Sequence, residues 1–186
     1  MPEGKQAERS ITFDEASHIY KVEGRIVPSV TQIIEAVRPN HRWYPAGAAE
    51  RGSNVHLALR YLDEGRLAEC PAELHGYLEA YELFKKQNDW MPLETERIVF
   101  SEEYGYIGRV DKIGLFRDLQ AVVDFKSGVP DASHKVQAAA YGMAAGIANR
   151  FVLYLTARGS YKMADASALM YEKIWLAHLQ VFDYYR

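Results

Sequence analysis

Apolar positions along this chain repeat with two periods, and the switches between them mark its elements. From 11 to 27, β-forming residues surround a turn at Glu23-Gly24. This predicts a hairpin with strands near 11–14 and 18–22. Ser29 then precedes VTQIIEAV, with Pro39 just beyond. That is a short helix with a serine N-cap. Positions 46–65 read as a helix with a Val55, Leu59 and Leu62 stripe, and Gly65 is suited to end it. Pro71 opens another helix, with Leu74, Leu78, Tyr81 and Leu83 or Phe84 facing inward. From Trp90 the period becomes two. Strands are expected over 93–103, 106–116 and 121–126, with turns at Glu103-Tyr104-Gly105 and Arg117-Asp118. Helical spacing returns over 133–148, burying Val136, Ala139, Ala140, Met143 and Ile147. A strand over 150–157 and a long amphipathic helix over 165–186 complete the pattern. With no repeat, low-complexity stretch or linker, the expectation is one α/β domain over 1–186. Within it, 1–10 are expected to be mobile, 11–45 carry the hairpin and short helix, and 46–157 form the core.

Composition narrows the class. The chain has 186 residues, 48% hydrophobic and 25% charged, enough to bury a core without covalent staples. A single cysteine, Cys70, excludes an internal disulfide and any multi-thiolate centre, iron–sulfur clusters included. It fits a reducing, cytosolic compartment. No apolar run approaches the ~20 residues of a membrane-spanning helix, and the polar N-terminus lacks a signal-peptide core. The formal charge of −3 gives no general basic coat. Contact with a polyanion would need a local patch or a metal.

The informative break in the pattern is AVVDFKSG, 121–128. Residues two apart on a strand share a face. Asp124 and Lys126 therefore lie with Val122, while Ala121, Val123 and Phe125 lie opposite. Opposite charges at the end of an inner strand are costly unless paired or bound. By the same alternation Asp111 falls with Ile113 and Leu115, and Glu96 with Ile98 and Phe100. Three adjacent strands thus each bring one carboxylate near the core. Converging carboxylates repel, and a hard divalent cation with oxygen ligands relieves them. A lysine beside such an ion adds no ligand; it can orient a water or steady phosphate charge. Taken alone, D-x-K is more often a surface ion pair, and the Asp111 and Glu96 context is what favours a metal site. Gln137 and Tyr141, four apart, project from one helix face, which His134 shares. Arg38, His41, Arg42 and Arg51, with Trp43 and Tyr44, form a second candidate for nucleic-acid contact through charge and stacking. A solvated loop is the alternative.

The order GSNVH, GRVD, VVDFKSG, QAAAY resembles the RecB-like, phage-type exonuclease branch of the PD-(D/E)xK nuclease superfamily. The opening FDEASHIYKVEGRIVPSVTQII resembles the start of many phage-encoded members. The resemblance spans about 47–142. It implies a restriction-endonuclease-like core: a central mixed sheet flanked by helices, with an N-terminal β-hairpin. It implies that Asp111 and Asp124 hold a metal, with the Phe125 carbonyl as a further ligand. His56 is a ligand or a neighbour of one, and Lys126 helps activate water. Gln137 and Tyr141 contact the phosphate or backbone. Glu96 is the candidate upstream acid, with Glu102 and Glu103 as rivals. The cofactor implied is magnesium or manganese, and the partners are single- or double-stranded DNA ends and a recombination protein, with no membrane. The activity implied is a deoxyribonuclease, an exonuclease of phage or bacterial recombination and repair. A structure-specific endonuclease and a non-catalytic nucleic-acid-binding module are the alternatives. The chain has no G-x-x-x-x-G-K-[ST] phosphate loop, so no motor is fused within it.

Overall fold

The computed structural model describes residues 9–15, 17–39 and 46–186. Two sheets organise them. The first is a small antiparallel sheet of β1 (Ile11–Asp14), β2 (Ile19–Val22) and β3 (Arg25–Val27). The expected hairpin is present, and Glu23-Gly24 turns the chain into a third strand that a three-residue pattern could not announce. Ser29 caps α1 (Val30–Val37) through a reciprocal box: its Oγ accepts from Gln32 N–H, and its own N–H donates to Gln32 Oε1 at 2.9 Å.

The second sheet has the order β4-β5-β6-β7-β8. Its strands are β4 (Trp90–Ser101), β5 (Tyr106–Phe116), β6 (Leu119–Lys126), β7 (Asn149–Leu155) and β8 (Tyr161–Asp165). Only β6 and β7 are parallel. That pair needs a crossover, which α4 (Ala132–Ala145) supplies. Arg117 and Asp118 both take positive φ, the two-residue turn that matches strand twist between β5 and β6. The β8 strand was not expected. It is an edge strand with a mostly half-exposed side-chain pattern, so period two is not visible in YKMAD. The last helix, α5 (Leu169–Tyr184), accordingly starts later than position 165.

Helices cover both faces. On one lie α2 (Ala48–Asp63) and α3 (His75–Asn88), the latter entered through a 3-10 turn at Ala72–Leu74. Val55, Leu59, Tyr81 and Phe84 pack there on Ala121, Val123 and Phe125. On the other, α1, α4 and α5 pack Val30, Ile33, Val136 and Trp175 on Val122 and Ile113. The faces of β6 are thus those its alternation predicts. Leu74 in the 3-10 turn and Tyr81 and Phe84 on α3 are buried as expected and Leu78 is half-buried, whereas Leu83 is exposed and Tyr77 and Ala80 take inward positions. No helix among the described residues is long and apolar enough to cross a membrane.

Candidate active site

The candidate site forms where β5 and β6 part. Their ladder runs from Phe116–Leu119 back to Lys112–Val123 and stops there. Beyond it, Asp111 bridges the strands with its side chain: Phe125 N–H donates to Asp111 Oδ2 at 2.7 Å. The other oxygen, Oδ1, lies 3.2 Å from His56 Nδ1 on α2. On β6, Lys126 Nζ sits 2.8 Å from Asp124 Oδ2. The acid and base two positions apart are an ion pair at the strand's end, and Asp124 is only 2% exposed.

The electrostatics divide the two aspartates. Burial works against the charge of both. At Asp111 the neighbouring His56, Lys126 and the Phe125 N–H outweigh burial, and the carboxyl is held below its usual range. At Asp124 burial wins, aided by repulsion from Asp111 against the pull of Lys126, and its pKa is pushed up to about 6. The Asp111 charge raises His56 despite desolvation. Desolvation would lower Lys126, but Asp124 and Asp111 together raise it.

One observation bears on metal binding. Asp124 Oδ2 is buried and, beside its ion pair, has no hydrogen-bond partner of acceptable geometry. Among the described residues, no three His, Cys, Asp or Glu side chains form a ready cage. Two carboxylates, with water and substrate oxygens to complete the shell, suit magnesium or manganese and suit no cation that demands an all-protein cage. His56 touches Asp111 Oδ1, so an ion held by that carboxylate would have His56 beside it.

Glu96 borders the same small cavity as His56, Asp111 and Phe125. Its φ of +50° breaks the strand's alternation, and its Oε2 accepts from Arg60 Nη1 at 2.9 Å. Its rivals Glu102 and Glu103 lie past the end of β4, in the turn to β5, where Glu102 pairs with Arg9. On α4, Gln137 Nε2 donates to the Tyr141 hydroxyl at 2.9 Å. Tyr141 is buried, and burial together with the Asp124 and Asp111 charges raises its hydroxyl pKa strongly. Its ring packs against Gly108, the glycine of GRVD.

An open cleft of about 610 Å³ lies between α1 and α4. Lys126 and Gln137 line it, with Thr31 from α1, Arg38 just past its end, and Ser133 and His134 from α4. Arg38 is tied to Asp131 at 2.6 Å. Arg51 sits in the first turns of α2, its Nε buried without a hydrogen-bond partner among the described residues. Arg42 and Trp43, with His41 and Tyr44, lie outside the described residues. Sequence reasoning missed Arg60, Asp63 and Lys112. The first two follow His56 at helical spacing, a signal that was available. Lys112 is a lysine only 1% exposed, and regular alternation gave no reason to link it to Asp111's surroundings.

No family's sequence profile matches the chain, and no curated protein matches it by sequence. The fold is similar to that of a protein from Eubacterium rectale provisionally called an exonuclease, with TM-score 0.51 and 14% identity over 83% of this chain and 71% of that one. LHK-Exo, an alkaline exonuclease from Laribacter hongkongensis, gives TM-score 0.41 and 14% identity over 84% of this chain and 89% of its own. Its complex with dAMP gives TM-score 0.47 and 12% identity over 84% and 85%. The first likeness is one of fold, that of a mixed five-stranded sheet between helices with antiparallel N-terminal strands.

Proposed function

We propose that the protein is a magnesium- or manganese-dependent deoxyribonuclease of the RecB-like PD-(D/E)xK type, acting as an exonuclease on DNA ends. The observation that carries this reading is the meeting of Asp111, Asp124 and Lys126 at the point where β5 and β6 part. Asp111 and Asp124 hold the cation, with the Phe125 carbonyl as a further donor. Bound there, the cation supplies Lewis-acid polarisation of the phosphate and a more acidic water.

The chain's own groups do the rest. His56 buttresses Asp111 and fixes the rotamer of the carboxylate. Lys126, held as an ammonium by Asp124, has donors left to orient the attacking water and to stabilise charge on the phosphate oxygens. Gln137, lining the same cleft as Lys126, reaches the phosphate, with Tyr141 holding it. The open cleft admits a strand end to this wall. Hydrolysis forms one P–O bond from water and breaks one to the leaving nucleotide oxygen. Arg51 and the segment carrying Arg42 and Trp43 supply contacts to the DNA backbone and bases.

The test uses labelled single- and double-stranded DNA with Mn²⁺ or Mg²⁺, with and without chelator. Asp124→Asn and Lys126→Ala should each lower cleavage by about 100-fold or more while the circular dichroism stays native. Mononucleotides released from an end would mark exonuclease action. Undiminished cleavage by both variants would remove the mechanism, and DNA binding with no cleavage in any metal would leave a binding module instead.

A further inference from the structure

Below the site, α2 meets the sheet through a row of polar pairs. His56, Arg60 and Asp63 stand at i, i+4 and i+7, one face of the helix over about 10 Å. His56 meets Asp111 at 3.2 Å, Arg60 meets Glu96 at 2.9 Å, and Asp63 Oδ2 meets Lys112 Nζ at 2.7 Å. Reading along the helix the signs are base, base, acid. On the sheet they are acid, acid, base. Sliding α2 by one turn in one direction sets Asp63 toward Glu96, and in the other sets Arg60 toward Lys112. Either shift opposes like charges, so the pattern specifies one register.

The third pair is the anchor. The side chains of Lys112 and Asp63 are 2% and 6% exposed. Lys112 Nζ also donates to Thr95 Oγ1 at 2.7 Å. Asp63 accepts from the Tyr81 hydroxyl at 2.7 Å and lies 3.3 Å from Lys85 Nζ, both on α3. The indole N–H of Trp90 in turn donates to the Tyr81 hydroxyl at 3.2 Å. One carboxylate therefore joins α2, α3, β4 and β5. Lys112 follows Asp111 directly, and Thr95 precedes Glu96. Any rotation of α2 that moved Asp63 would carry His56 off Asp111.

We propose that Asp63 and Lys112 are positioning residues, their buried pair fixing α2 on the sheet so that His56 holds Asp111 in its metal-binding rotamer. The inference rests on the metal-site reading above. Its readout is Mn²⁺ affinity, measured by calorimetric titration of the full chain without DNA. Lys112→Met leaves Asp63 satisfied by Tyr81 and Lys85. The double variant Asp63→Asn, Lys112→Met removes both charges and strands neither. Each should melt cooperatively and bind Mn²⁺ about 10–100-fold more weakly. Turnover should fall with KM for DNA unchanged, and Lys112→Arg should restore Mn²⁺ affinity to near the parent value. A folded double variant with Mn²⁺ affinity within about twofold of the parent overturns the proposal. Asp124→Asn separates the two layers. If it loses Mn²⁺ binding while the double variant keeps it, only the positioning role fails. If it retains parental Mn²⁺ affinity, the metal-site reading fails and the positioning role with it.

Discussion

Asp124 and Asp131 lie one strand end and one loop apart, and their surroundings push their ionisation in opposite directions. Asp131 caps α4: the backbone N–H of Ser133 donates to its Oδ1 at 2.8 Å and the Ser133 hydroxyl at 2.7 Å. Arg38 closes on the same oxygen at 2.6 Å. Burial opposes ionisation, but these donors outweigh it and hold the carboxyl well below the usual range. A carboxyl depressed in the fold adds stability above its unfolded value, about 3.9, and that stability fades as the pH falls through the folded value. Asp131→Asn keeps a capping oxygen and loses the charge. At pH 7 it should melt roughly 1–4 °C below the parent, from about 0.3–1 kcal/mol of charge at a helix N-terminus. The gap should narrow progressively below about pH 4. Melting curves from pH 3 to 7 check this, and a gap independent of pH would assign the effect to shape instead.

At the scale of elements, Gly108 shows why the GRVD and QAAAY motifs occur together. A Cβ at Gly108 would stand 2.5 Å from Tyr141 Cε1 and 3.2 Å from Val30 Cγ2. Only glycine lets β5, α4 and α1 meet with the Tyr141 hydroxyl on Gln137. Gly108→Ala should cost about 1–3 kcal/mol, a drop of roughly 2–12 °C in melting temperature, and should weaken DNA cleavage by displacing Gln137. Calorimetry beside an activity assay tests it; a parental melting temperature would show that the Tyr141 ring yields freely. The same elements mark what the sequence could reveal. The faces of β6 were legible because it is regular and buried on both sides, so period two assigns Val122 against Ala121, Val123 and Phe125 correctly. On β5, where alternation slips beside Lys112, period two did not place Asp111, but on β6 it made the Asp124–Lys126 pair legible. The surroundings of Glu96 were not, because its positive φ breaks the alternation. Near Lys112, Val110 and Ile113 share a cluster although three positions apart. Lys112 and Asp63 were hidden for the same cause: a buried pair is set by tertiary contact and leaves no periodic trace.

For the whole molecule, the candidate site is a local strain that a cation would relieve. Asp124, buried, and Asp111, half-buried, repel each other at the meeting of α2, β5 and β6, and Lys126, His56 and the Phe125 N–H offset them. Both faces of the sheet depend on this meeting, since α2 belongs to one layer and the Asp124–Lys126 side of β6 to the other. A ligand that binds the fold and not the unfolded chain stabilises all of it. At a hundredfold excess over its dissociation constant the gain is about 2.7 kcal/mol. For a chain of this size that is roughly 5–11 °C in melting temperature. Saturating Mn²⁺ should therefore raise the melting temperature of the parent by about that amount, and EDTA should reverse it. Asp124→Asn should show no Mn²⁺ shift while melting as one cooperative unit without metal. Lys126→Ala should keep the shift, because the lysine acts on water and phosphate and does not ligate. Loss of the shift in Asp124→Asn together with its survival in Lys126→Ala would separate metal binding from water activation. Equal loss in both would instead make Lys126 part of what holds the carboxylates in place.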